Sequence, residues 1–152
     1  MSAEFNLSLA IDEAGVVLYV VTGMFVLSQW MQQHTAAVQK HFGGRWDETR
    51  PVMVDIRKLQ PPKSEWIPMV KEVFGQLDIL GETKSRSAFI YGDSPGRKFM
   101  CEFYIKCRRA MRDDGREQRA FQRWEDGYAW ATEGYLPAIT GVEAALTPSH
   151  PA

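Results

Sequence analysis

The stretch PVMVDIRKLQPPKSEW, residues 51–66, holds an apolar strand, a carboxylate and two cations in immediate succession. Val52 to Ile56 reads as a buried strand, apolar on both faces as in a parallel sheet. Asp55 lies within that run, and Arg57 and Lys58 follow it. A carboxylate is tolerated there only if a cation or several N–H groups meet it. Side chains two apart on a strand share a face, so Arg57 is placed to pair with Asp55. Pro61-Pro62 then break the chain, and Ser64 or Glu65 opens a helix with Trp66, Ile67, Val70, Phe74 and Leu77 along one face. Pro68 is compatible with its first turn.

The segments before this stretch fit the same plan. Phe5, Leu7, Leu9 and Ile11 alternate with small or polar residues, the pattern of a half-buried strand. Asp12 to Gly15 is a turn, and residues 16–23 form a second strand, apolar on both faces and central, antiparallel to the first. Ser28 is placed to cap a helix running to about Phe42, with Met31, Val38 and Phe42 as its buried stripe and Trp30 and Ala37 beside it. Gly43-Gly44 ends it.

After the helix from Ser64, residues 87–91 form a short strand and GDSPG, residues 92–96, a turn that opens another helix. Phe99, Phe103, Cys107 and Ala110/Met111 are expected on its apolar face. Residues 118–124 read as an edge strand, and Asp126 as the cap of a last helix carrying Tyr128, Ala129 and Trp130. The order is β-β-α-β-α-β-α-β-α. It predicts an α/β fold with a mixed, largely parallel sheet. Residues 1–146 are expected to form one domain, and 147–152 a flexible tail.

Composition bounds the function. The chain has 152 residues, 45% hydrophobic and 24% charged, with a net charge of −1. No global field draws it to nucleic acid or to an anionic membrane. The run at 15–27 is shorter than the roughly 20 residues a membrane span needs. The acids near the N-terminus do not fit a signal peptide. Cys101 and Cys107 lie six apart on one helix, on different sides, and are expected to be free thiols in a cytoplasmic protein.

Three segments taken in order, VMVDIRKL, SAFIYGDSPGRKF and RAFQRWEDGYAWA, resemble the STAS-like family, the domains of sulfate transporters and anti-sigma factor antagonists. They are most similar to its small stand-alone bacterial branch, described as STAS/SEC14-like. The resemblance covers about residues 5–132. It implies a sheet with helices packed mainly on one face and a regulatory or protein-binding module that is not an enzyme and carries no cofactor. It also implies a protein partner, with a homodimer as one form, and, in a related branch, a groove for a lipid or other apolar ligand. Some relatives are phosphorylated on a serine opening the second helix. Ser64 holds that position, but in the context Pro62-Lys63-Ser64-Glu65, which departs from the Asp-Ser-Ser-Gly-like turn of those relatives. A plain helix cap is sufficient to account for it.

The residues themselves suggest one rim. Ligands of open α/β sheets gather beyond the carboxyl ends of the strands. Asp55, Arg57, Tyr91 and Asp93 lie at such ends, and Ser64 and Ser94 open the helices that follow. Arg97 and Lys98 place cations in a helix's first turn, where they are mildly unfavourable. An anion or an acidic side chain docked at Ser94–Lys98 would relieve them, as would exposure to water. GDSPGRK lacks the spacing and the hydroxyl of a phosphate loop, which excludes a nucleoside triphosphate site. His34 and His41, seven apart, are separated by about 10 Å along a helix and cannot share a metal whose donors sit about 2 Å from it. The cluster Lys106, Arg108, Arg109, Arg112, Arg116 and Arg119 is a solvated face or meets an acidic protein partner. Trp46 is an interface anchor or folds back on the core.

Overall fold

The computed structural model describes residues 4–43, 50–60, 85–111 and 117–135. A five-stranded sheet runs in the order β1 (Asn6–Ile11), β2 (Val17–Met24), β3 (Val52–Gln60), β4 (Ser87–Ile90) and β5 (Gln118–Phe121). The hairpin pair β1–β2 is antiparallel, and every later pair is parallel. Three helices are described: α1 (Leu27–Phe42), α2 (Pro95–Met111) and α3 (Trp124–Ala131). The helix expected from Ser64, with Trp66, and the loop bearing Trp46 lie outside the described residues.

The sheet advances one strand at a time from β2 to β5. Crossovers of a single hand must then drop their helices on the same face. Accordingly α1, between β2 and β3, and α2, between β4 and β5, share one core with Leu7, Val17, Tyr19, Val21, Val52 and Ile56. The last helix, α3, follows an edge strand and is no crossover. It covers the other face, where Trp124, Tyr128 and Ala131 pack on Leu18, Met53, Ala88 and Ile90. Burial on both sides explains why β2 and β3 carry apolar residues at successive positions.

Local chemistry sets the boundaries. Gly43 ends α1 in the left-handed region, at φ 66°, its N–H turned back to the carbonyls of Gln39 and Val38. Ser28 does not cap α1. Val26 stands at the cap position, with no side-chain bond, and Ser28 falls in the first turn, exposed. At α2 the cap is Ser94, whose Oγ accepts the Arg97 N–H at 3.2 Å, with Pro95 opening the helix behind it. The strand expected over 118–124 stops at Phe121, and Trp124 already belongs to α3. Asp126 is therefore not a cap. It sits in the first turn with Glu125, where carboxylates suit the helix dipole, and accepts Arg123 Nε at 3.2 Å.

The buried stripe of α2 is also turned from the expected one. Met100 and Cys101 face the core, while Phe99 is 62% exposed and stacks on Phe103 at 5.9 Å. Arg97, on the same stripe one turn earlier, explains the rotation by reaching down to the end of β3 (Nε to Leu59 O, 2.7 Å). Both cysteines are free. Burial, aided by the Glu102 charge, pushes the Cys101 thiol up to about 12 and leaves it unreactive.

Candidate functional site

β3 continues past Ile56 because it bulges. Its register with β2 shifts between Val20↔Asp55 and Thr22↔Lys58, so β3 holds one residue more than β2 over that interval. The extra residue reverses the alternation. Leu59 thereby joins Val52 and Ile56 in the α1-side core, although its number has the opposite parity. The irregularity lies at Ile56–Arg57, immediately after the carboxylate.

Asp55 faces the α3 side, between Val20 and Ile90 in register. Arg57 closes on it with three bonds. Asp55 Oδ1 accepts the Arg57 backbone N–H at 3.0 Å and its Nε at 2.9 Å, and Oδ2 accepts Nη2 at 2.8 Å. The Asp55 side chain is 13% exposed and that of Arg57 37%. The hydrogen bond to Asp55 raises the Arg57 pKa above its ordinary value, against partial burial, with the charges of Asp55 and Glu125 adding to the rise. The guanidinium sits 5.9 Å from the centre of the Trp124 ring. Its aliphatic stem lies against Gly92, at φ 73°, where an added Cβ would stand 3.2 Å from Arg57 Cγ.

The neighbouring turn is tied down in the same manner. Asp93 Oδ1 accepts Gln122 Nε2 at 3.0 Å, and the N–H groups of Tyr91 and Gly92 donate to the carbonyls of Phe121 and Gln122. Asp55, Arg57, Asp93, Ser94 and Arg97 thus line the ends of β3 and β4, but on two faces of the sheet. Asp55 and Arg57 lie on the α3 side. Tyr91, in step with Phe89, packs against the α1 and α2 core. Arg97 turns to the carbonyl of Leu59. Ser64 lies outside the described residues.

Two contributors were not among the rim residues expected from the sequence: Trp124, read there as the end of an edge strand, and Glu125. Their signal is the spacing Trp124, Tyr128, Ala131, a helical stripe that begins at the tryptophan. His34 is also core, 8% exposed, its ring stacked between Tyr19 and Trp30 and its Nε2 2.8 Å from the Tyr19 hydroxyl. Arg119 lies over the rings of Phe121 and Trp130, at 5.4 and 5.5 Å, and Arg86 bonds Glu117 Oε2 at 2.8 Å.

No family model matches the chain, and no curated protein does. Among solved structures it is similar to an uncharacterised protein of the DUF3478 family with a SpoIIAA-like fold, from Shewanella loihica PV-4. The TM-score is 0.60 at 15% identity, over 86% of this chain and 98% of that one. The fold is therefore SpoIIAA-like, the anti-sigma-factor-antagonist arrangement that the three sequence segments resemble. No helix among the described residues is long and apolar enough to cross a membrane.

Proposed function

We propose that this chain is a non-catalytic, STAS-like protein-interaction module with a regulatory role, and that its partner docks on the rim at the ends of β3 and β4. The observation that carries this reading is how the rim's charges are held. Asp55 and Arg57 neutralise each other through a bidentate pair over Trp124, Asp93 is tied to Gln122, and Arg97 to a backbone carbonyl. Such groups form a preorganised polar surface, which lowers the ordering cost of association. Arg57, partly exposed and fixed over the buried Trp124, is also of the residue type enriched among interface anchors.

The test is affinity capture with the wild-type chain and with Arg57→Glu, which leaves two like charges where a pair stood. A protein retained by the wild type and lost with the variant, whose far-UV circular dichroism is unchanged, supports the proposal. Equal retention by both removes the rim as the docking surface. Native mass spectrometry of the same preparation covers the alternative. A stoichiometric apolar ligand on the wild-type chain, with no partner protein retained, would make it a carrier instead.

A further inference from the structure

Among the described residues the sheet has two edges, β1 and β5, and the β1 strand itself carries none of the usual protection. Residues 5–11, FNLSLAI, contain no charge and no proline. Unpaired N–H and C=O groups on such a strand invite another strand, and natural edges are normally blunted by lysine, proline or a bulge. An identical β1 from a second copy would meet no like charge on pairing here.

One side chain occupies the bonding positions at the start of the strand. Gln33, on α1, accepts the Leu7 N–H on its Oε1 at 2.7 Å and donates its Nε2 to the Phe5 carbonyl at 3.2 Å. In a parallel ladder a single residue does both: it donates to the carbonyl of residue i−1 and accepts from the N–H of residue i+1. The Gln33 amide therefore stands in for one residue of a neighbouring strand, bridged around Asn6. Gln29, one turn earlier, accepts Gln33 Nε2 at 3.3 Å, which fixes which end of the amide meets which backbone group.

We propose that Gln33 is a plug that closes the β1 edge to a second copy of this chain, and that removing its amide turns β1 into a self-pairing edge. The experiment is sedimentation velocity on the full chain, comparing wild type, Gln33→Ala and Gln33→Lys over one concentration range. Gln33→Ala should self-associate at least about tenfold more tightly than wild type, the ratio that corresponds to 1.4 kcal/mol. Gln33→Lys loses the acceptor of the Leu7 N–H but sets a cation on the edge, and should associate no more than wild type. A merely structural role would move both variants alike. Hydrogen exchange on the wild type gives a reading that needs no variant: the Leu7 amide should be protected although it points off the edge. Gln33→Ala no more associated than wild type, Gln33→Lys as associated as Gln33→Ala, or a Leu7 amide that exchanges like a free one, would each overturn the proposal.

Discussion

The hydroxyl of Tyr128 donates to Asp12 Oδ2 at 2.6 Å and ties α3 to the β1–β2 turn across 116 residues of chain. The other oxygen of Asp12 accepts the Val16 N–H at 2.8 Å, so one carboxylate closes the turn and anchors the helix. Tyr128→Phe removes a hydrogen bond to a charged acceptor and should cost about 1.5–3 kcal/mol. Its pH dependence has a definite sign. Burial, then the hydrogen bond to Asp12, then the Asp12 charge keep the phenol protonated above its ordinary 10.0. The unfolded chain releases that proton near pH 10, while the folded chain retains it. The unfolded state then binds fewer protons, and stability falls as pH rises past that point. The contribution is present in full below pH 10. Urea midpoints of wild type and Tyr128→Phe should therefore converge above pH 10, and a gap that is constant or widens there contradicts the assignment. The sequence shows Asp12 as a turn residue and Tyr128 as a helix residue, but nothing in it links them, because the contact depends on α3 crossing to the opposite face. The Asp55–Arg57 pair is legible, because two residues on one strand share a face whatever the rest of the chain does.

At the scale of the element, α3 lies close on the sheet because Gly127 has no side chain. A Cβ built there would stand 2.5 Å from Ile90 Cδ1 and 3.3 Å from both Ala88 Cβ and a Phe121 ring carbon. Ile90 and Ala88 are fully buried, so neither has room to yield. A glycine inside a helix otherwise costs about 1 kcal/mol relative to alanine, and here close packing offsets that cost. Gly127→Val should lower the urea midpoint by an equivalent of about 2–3 kcal/mol, with the slope unchanged. A neutral or stabilising result would mean that α3 sits further from β4. The same glycine shows why helix faces are harder to read than strands. In β1 the alternation of Phe5, Leu7 and Leu9 admits one inward face, and all three are buried. In α2 several apolar residues compete, and the Arg97 bond to β3 turns Met100 and Cys101 inward in place of Phe99. In α1 Val38 is buried with Trp30, Ala37 and Phe42 packed beside it, as expected, but the core lacks Met31, and His34 fills a core position because Tyr19 supplies its polar contact.

For the whole molecule, the alternation of strands and helices makes the mixed, largely parallel sheet legible, since same-handed crossovers leave few topologies. The location of α3 is not, because a helix after an edge strand is bound by no such rule. Its placement gives two apolar cores, one on each face, that share the same strands: Val17, Val52 and Ile56 point into one, Leu18, Met53 and Ile90 into the other. Neither core can open without exposing the backs of strands that the other needs, so they should unfold as one unit. Val38, 2% exposed, lies in the α1-side core, and Ile90, at 0%, in the α3-side core. Val38→Ala removes two buried carbons and should cost about 1.5–3 kcal/mol, and Ile90→Val about 0.5–1.5 kcal/mol. The two side chains belong to separate clusters, so the double variant should show the sum to within about 0.5 kcal/mol. Far-UV circular dichroism and tryptophan fluorescence should follow one coincident transition in all four proteins. If Val38→Ala instead splits the transition, with the α3-side signal persisting to higher urea, the sheet does not couple its two faces, and α3 with β3–β5 is a unit stable by itself.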